Sequence, residues 1–156
     1  MTTYELLTTV HLPRPLDEVF DFFSEARNLE IITPPWLRFR VRTAEPIVIA
    51  QGTTIDYRLS WRGVPLRWTS VIAAWDPPHF FIDRQIRGPY RLWHHEHTFT
   101  DHGGRTEVVD RVRYAVPMGR WIQRLIVGRD VDAIFAYRKQ RLLEIFNEAP
   151  YSVARA

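Results

Sequence analysis

A chain of 156 residues has the length of one ordinary domain, and such a domain buries roughly two-thirds of its unfolded surface without a metal or disulfide staple. It contains no cysteine, which excludes a disulfide framework, a thiolate metal site and a cysteine nucleophile. The net charge of +3 comes almost wholly from arginine, Lys139 being the single lysine. Arginines such as Arg38, Arg40 and Arg42 alternate with apolar residues, so a solvated outer face explains them better than a nucleic-acid surface, and no nucleic-acid partner is expected. The start, MTTYELLTTVHLPRP, lacks the basic and apolar regions of a secretory signal. No apolar stretch approaches the roughly 18 residues that cross a bilayer, so no membrane span and a cytoplasmic location are expected.

Tyr4 to Leu12 alternates loosely and reads as a first strand, ended by Pro13 and Pro15. Leu16, Val19, Phe20 and Phe23 fall at helical spacing, with Asp17 and Glu18 placed to complement the positive end of the helix dipole. A second short helix is expected over Ser24 to Ile31, capped by Ser24 and stopped by Pro34 and Pro35. Leu37 to Ala44 and Thr53 to Trp61 alternate with period two, the signature of half-buried antiparallel strands. Arg62-Gly63 marks a tight turn into Leu66 to Trp75. Further turns at Asp76-Pro77-Pro78-His79, Gly88-Pro89 and Asp101 to Gly104 separate strands over Phe80 to Ile86, Tyr90 to Thr100 and Arg105 to Val116.

The last element has a different period. Trp121, Ile122, Leu125, Ile126, Val131, Ile134, Phe135, Leu142, Ile145 and Phe146 lie on one side of a long helix over Gly119 to Asn147, with a break or kink near Gly128. Trp121, Ile122, Leu125 and Ile126 are expected in the core or the wall of a cavity. The order is strand, two short helices, a run of strands and a long helix. This predicts an α+β fold in which a curved antiparallel sheet of about seven strands wraps the C-terminal helix. Residues 1–150 are expected to form one domain and 151–156 a flexible tail. Aromatic residues make up 13% of the chain, with six tryptophans, which suits a cavity for a flat, largely apolar molecule as well as a packed core.

The element order resembles the START-like superfamily, the helix-grip or SRPBCC group. Its members include the birch-pollen allergen group, lipid-transfer START domains and polyketide cyclases/dehydrases. The residues that carry the resemblance are Thr33-Pro34-Pro35-Trp36-Leu37, Trp75 to Asp83, Gly88-Pro89-Tyr90 with Trp93 to Phe99, Asp110 to Gly119, and Phe135 to Arg138. The likeness is nearest to bacterial ligand-binding proteins of the polyketide cyclase/dehydrase type. It implies a fold and leaves carrier, cyclase and regulator open, because this fold hosts all three.

Strand parity then selects side chains for the concave face. Trp93, His95, His97 and Phe99 share a face, and the two large apolar residues turn it inward. Pairing Asp76 with His79 across the Pro77-Pro78 turn sets Ala74 opposite Phe81, Ile72 opposite Asp83 and Ser70 opposite Gln85, so Phe81, Asp83 and Gln85 point inward. Thr106, Val108, Asp110, Val112 and Tyr114 go inward because Arg111 and Arg113 belong in water. The expected ligand-binding set is Tyr57, Trp68, Phe81, Asp83, Gln85, Trp93, His95, His97, Phe99, Asp110 and Tyr114. The partner is a small hydrophobic molecule, and the chain is expected as a monomer or homodimer.

Buried polar groups in an apolar wall must be paired. His95 and His97, about 7 Å apart along the strand, join Asp83 or Asp110 either as a hydrogen-bonded wall or as a two-histidine, one-carboxylate metal set. The first is favoured, and no metal or cofactor is expected. His95, His97 and Asp110 are also candidates for acid–base catalysis. Trp36 reads equally as a lid or as a packing anchor for the short helices.

Overall fold

The computed structural model describes residues 1–147. The expected domain limit at 150 and the tail 151–156 lie outside them. Strand β1 (Tyr4–Leu12) leads into α1 (Leu16–Phe23), α2 (Asn28–Ile31) and a 3-10 turn, Pro35–Leu37. Strands β2 (Arg40–Val41), β3 (Thr54–Trp61), β4 (Val64–Asp76), β5 (Phe80–Arg87), β6 (Leu92–Asp101) and β7 (Thr106–Ala115) follow. The chain then forms a short α3 (Arg120–Ile122), a π-helical segment Gln123–Val127 and the long α4 (Gly128–Asn147). The seven strands form one antiparallel sheet in the order β1-β7-β6-β5-β4-β3-β2. It is a meander of hairpins that β1 extends by pairing with β7. The architecture is the α+β helix-grip arrangement the sequence implies.

Helix α4 points Val131, Phe135, Arg138, Leu142 and Ile145 inward, three or four residues apart, with Phe146 beside Ile145 and four residues after Leu142. Phe146 meets Phe22 of α1 at 5.3 Å, and Phe135 lies 6.5 Å from Trp93 of β6. The hydrophobic core gathers at one end of the sheet, around Leu12, Phe20, Phe22, Phe99, Val108 and Phe146. A second apolar cluster, around Ile55, Tyr57 and Ile72, occupies the β2–β4 side. The space between them stays open.

Four local features depart from the sequence reading. Ser24 ends α1 instead of capping a second helix: its hydroxyl donates to the Phe20 carbonyl at 2.9 Å, and α2 is a single turn. Leu37 belongs to the 3-10 turn that Pro35 opens, and Arg38 follows with φ of 46°, so only Arg40–Val41 pairs with β3. In the β4–β5 hairpin Trp75 opposes Phe81 and Ala74 opposes Ile82, one residue off the expected pairing. An irregularity between Ile72 and Ala74 restores Ile72 opposite Asp83 and Ser70 opposite Gln85, so the inward face is the expected one.

The fourth departure is at the long helix. The backbone N–H of Gly128 donates to Gln123 O, the five-residue step of a π turn. A side chain at 128 would crowd the Gln123 carbonyl at 3.0 Å, which explains the glycine. The extra residue per turn shifts the helical phase. Gln123 and Val127 turn inward, while Trp121 and Leu125, expected inside, are 76% and 52% exposed. The Arg62-Gly63 turn is as expected, with positive φ at both residues (49° and 82°) joining Trp61 to Val64.

Candidate functional site

A cavity of about 240 Å3 lies between the concave sheet face and α4. Its wall is mostly aromatic and aliphatic: Tyr57 and Trp61 from β3, Trp68 and Ile72 from β4, Phe81 from β5, Trp93 from β6 and Phe135 from α4. Trp68 packs edge to face on Tyr90 and on Trp93, at 5.5 and 5.3 Å between centroids, and Tyr90 and Trp93 lie tilted at 4.8 Å, forming one flank.

The polar part of the wall is a cluster built by two strand crossings. Asp83 on β5 opposes His95 on β6, and Asp110 on β7 opposes His97 on β6. The hydrogen bonds run diagonally. His97 Nε2 lies 2.8 Å from Asp83 Oδ2, and His95 Nε2 lies 2.8 Å from Asp110 Oδ1. The remaining ring nitrogens also face carboxylates, His95 Nδ1 at 3.6 Å from Asp83 Oδ2 and His97 Nδ1 at 3.1 Å from Asp110 Oδ1. The last contact is close enough for charge attraction, but it lacks hydrogen-bond geometry. His95, His97 and Asp110 are buried, and the Asp83 side chain retains 21% exposure.

This arrangement splits the two histidines electrostatically. Burial and the neighbouring His97 charge lower the pKa of His95 to about 4, against the pull of Asp110 and Asp83. Burial also opposes a charge on His97, but Asp110 and Asp83 together outweigh it and raise its pKa. Burial pushes both aspartates upward, and the histidines more than reverse it, so both stay ionised. Arg138 of α4 adds a positive charge that favours the Asp83 carboxylate. Its guanidinium carbon sits 4.9 Å over the Phe135 ring, and its Nε is buried without a hydrogen-bond partner. The two carboxylates thus favour a proton on His97 over one on His95, with the Arg138 guanidinium adding positive charge on the Asp83 side.

Asp83, His95 and His97 are the group whose ligand atoms come closest to holding a metal, all within 4.8 Å of one another. Two histidines bound to one ion would each approach it at about 2.0 Å. Here His95 Nδ1 and His97 Nε2 both face Asp83 Oδ2, at 3.6 and 2.8 Å, so the carboxylate oxygen takes the place where the two nitrogens converge. The imidazole centroids lie 3.7 Å apart with planes 30° apart.

Of the residues that sequence reasoning points inward, Tyr57, Trp68, Phe81, Asp83, Trp93, His95 and His97 line the cavity. The other four stop short of it. The Gln85 amide donates to Tyr90 O at 2.7 Å and accepts from Tyr90 N at 3.2 Å, bracing the β5–β6 turn. Phe99 packs among Phe20, Phe23 and Phe81 in the core. Asp110 stands behind the histidines. The Tyr114 hydroxyl accepts from Gln123 Nε2 at 2.9 Å. Trp36 is 59% exposed and its ring meets Tyr137 of α4 edge to face, with centroids 5.9 Å apart. Arg138, Tyr90 and Asp130 line the cavity without having been indicated by the sequence. Asp130 closes one side of it, accepting from Trp61 Nε1 at 2.7 Å and from Arg62 through both carboxylate oxygens.

This fold and wall define a class of cavity-bearing helix-grip proteins. Residues 12–136, well over half of the chain, match the family model described as polyketide cyclase / dehydrase and lipid transport, and the chain belongs to that family. No curated protein sequence matches it. Among solved structures, the Zhui aromatase/cyclase from a Streptomyces species is similar at a TM-score of 0.70 and 18% identity, covering 92% of this chain and 93% of that one. Protein Ms6760 from Mycobacterium smegmatis superposes at a TM-score of 0.69 with 18% identity over 92% of this chain and 90% of that one. Ginseng major latex-like protein 151 from Panax ginseng superposes at 0.68 with 12% identity, over 92% and 97%. At these identities the likeness is one of fold. No helix among the described residues is long and apolar enough to cross a membrane.

Proposed function

We propose that this chain binds a small, ring-containing and largely apolar molecule in the cavity, its polar end meeting Asp83, His97 and Arg138. The supporting observation is the contrast within one wall: aromatic surfaces on most sides, and a polar cluster of Asp83, His95, His97 and Arg138 set among them. Burying flat apolar surface drives such binding at about 25 cal/mol per Å2. The cluster orients the ligand, since a hydroxyl or carbonyl left away from it would lose its hydrogen bonds. Asp110 acts through the histidines and does not itself touch the ligand.

A second reading is favoured by the position of one group. Asp83 is the most exposed member of the His–Asp set, and its carboxylate faces His97 Nε2 at hydrogen-bond distance. Such a pair can take a proton from a carbon next to a carbonyl and return it to a leaving hydroxyl, as a cyclase/dehydrase-type reaction requires. The Zhui structure, titled an aromatase/cyclase, makes this class the natural comparison.

Native mass spectrometry of the full chain, alone and with a panel of naphthols, flavonoids and linear polyketides, tests both readings. Saturable one-to-one complexes lost in His97→Gln support binding. Mass loss of one water from a polyketide in the presence of protein supports catalysis. A panel with no saturable complex would remove the binding reading.

A further inference from the structure

The segment Met118–Leu125 places three large apolar side chains in water: Met118 at 46%, Trp121 at 76% and Leu125 at 52% exposure. No other stretch of eight residues among those described carries three exposed large hydrophobics. Trp121 and Leu125 are four residues apart along a helical backbone, so they share an outward side, while Gln123 and Val127 face in. The π turn that sets this phase is held by Gln123, which reaches Tyr114 beneath it.

Arginines frame the same segment. Arg120, Arg124 and Arg129 are exposed and have no carboxylate within ion-pair distance among the described residues. The carboxylates nearby are Asp130, already held by Arg62, and the exposed Asp132. Position adds the third observation. Met118 and its neighbour Pro117 are exposed and also line the cavity, so the patch continues into the cavity mouth.

Water penalises this combination and an anionic lipid interface satisfies it. Apolar tips enter the acyl boundary, an indole settles at headgroup depth, and guanidinium groups pair with lipid phosphates. We propose that this face docks the cavity mouth onto an anionic bilayer surface as a peripheral contact. Docking stands on the surface alone. Its consequence, that an apolar ligand passes between bilayer and cavity without crossing water, rests on the ligand-binding reading above.

Vesicle flotation of the full chain tests it, using phosphatidylcholine vesicles with and without phosphatidylglycerol. The chain should float with the anionic vesicles and largely remain behind with the neutral ones. Each of Arg120→Gln and Arg124→Gln should weaken partitioning roughly fivefold. Trp121→Ser and Leu125→Ser should each weaken it about tenfold or more, and Trp121→Phe should retain most of it. These side chains are exposed, so circular dichroism should show every variant folded. Equal flotation with both vesicle types, no flotation, or serine variants that float like the parent would each overturn the proposal. So would sedimentation showing that Trp121→Ser dissolves a dimer of a chain that never floats. Naphthol binding is read separately: retained binding with failed flotation removes docking alone, and the converse removes the cavity reading alone.

Discussion

His95 and His97 lie face to face with ring centroids 3.7 Å apart, yet the fold drives their protonation in opposite directions, His95 down to about 4 and His97 up. The asymmetry follows from the diagonal bonding of two aspartates across three strands. Both carboxylates reach the His97 ring at 3.1 Å or less, whereas His95 has one at 2.8 Å and the other at 3.6 Å.

Stability should therefore peak near pH 6.5. Below the ordinary histidine value of about 6.5 the unfolded chain takes up a proton that folded His95 refuses, so stability falls as pH drops from about 6.5 to about 4. The loss over that window is roughly 3 kcal/mol. His97 has the opposite sign: its contribution is full below about 6.5 and is lost as pH rises through its raised folded value. Thermal unfolding across pH 4 to 9 should show the maximum, and His95→Gln should flatten its acid limb. A wild-type profile that rises steadily toward pH 4 would contradict this assignment.

Arg138 should add to the lowering of the Asp83 pKa that His97 and His95 begin. Replacing it with Met removes a buried cation that favours the half-buried Asp83 carboxylate, at a cost of about 1–3 kcal/mol. Arg138→Lys should restore the charge without the planar contact over Phe135. Carbon-detected NMR of the Asp83 carboxyl should show its pKa rising in Arg138→Met. An unmoved titration would separate the two residues.

Asp130 should control passage into the cavity more than the stability of the fold. It ties the β3–β4 hairpin to the first turn of α4 through Trp61 and Arg62, both near solvent. Asp130→Asn should change unfolding free energy by no more than about 1 kcal/mol. Naphthol exchange, measured by NMR line shape, should accelerate several-fold. Unchanged exchange would show that the mouth opens elsewhere.

Phe99 should behave as core. It is 2% exposed among three phenylalanines, so Phe99→Leu should cost about 1–2 kcal/mol while naphthol affinity of the folded protein stays within about twofold. A large affinity loss without destabilisation would place Phe99 in the wall after all.

Much of this was legible because strand parity is binary. Once Trp93 and Phe99 turn inward, His95 and His97 must follow, and the arginines of β7 send Asp110 the same way. Asp83 was legible for a less direct reason. The hairpin pairing is off by one at Phe81, and an extra residue in β4 cancels the offset before Asp83. Arg138 was not legible, since an arginine on an amphipathic helix reads as solvated until a buried carboxylate is placed opposite it. Trp121 and Leu125 reversed their side because period 3.6 does not anticipate a π turn. Parity also gives direction without depth: Phe99, Asp110, Gln85 and Tyr114 point inward but end in the core, behind the histidines, at a turn and on Gln123.

The most direct test is an NMR titration of the isotope-labelled full chain with naphthol. Saturable shifts should concentrate at Tyr57, Trp68, Phe81, Trp93, His95 and His97, with weaker binding in His97→Gln. Shifts that never saturate, or that map to the outer arginine face of the sheet, would mean that the space beneath α4 is not a ligand site.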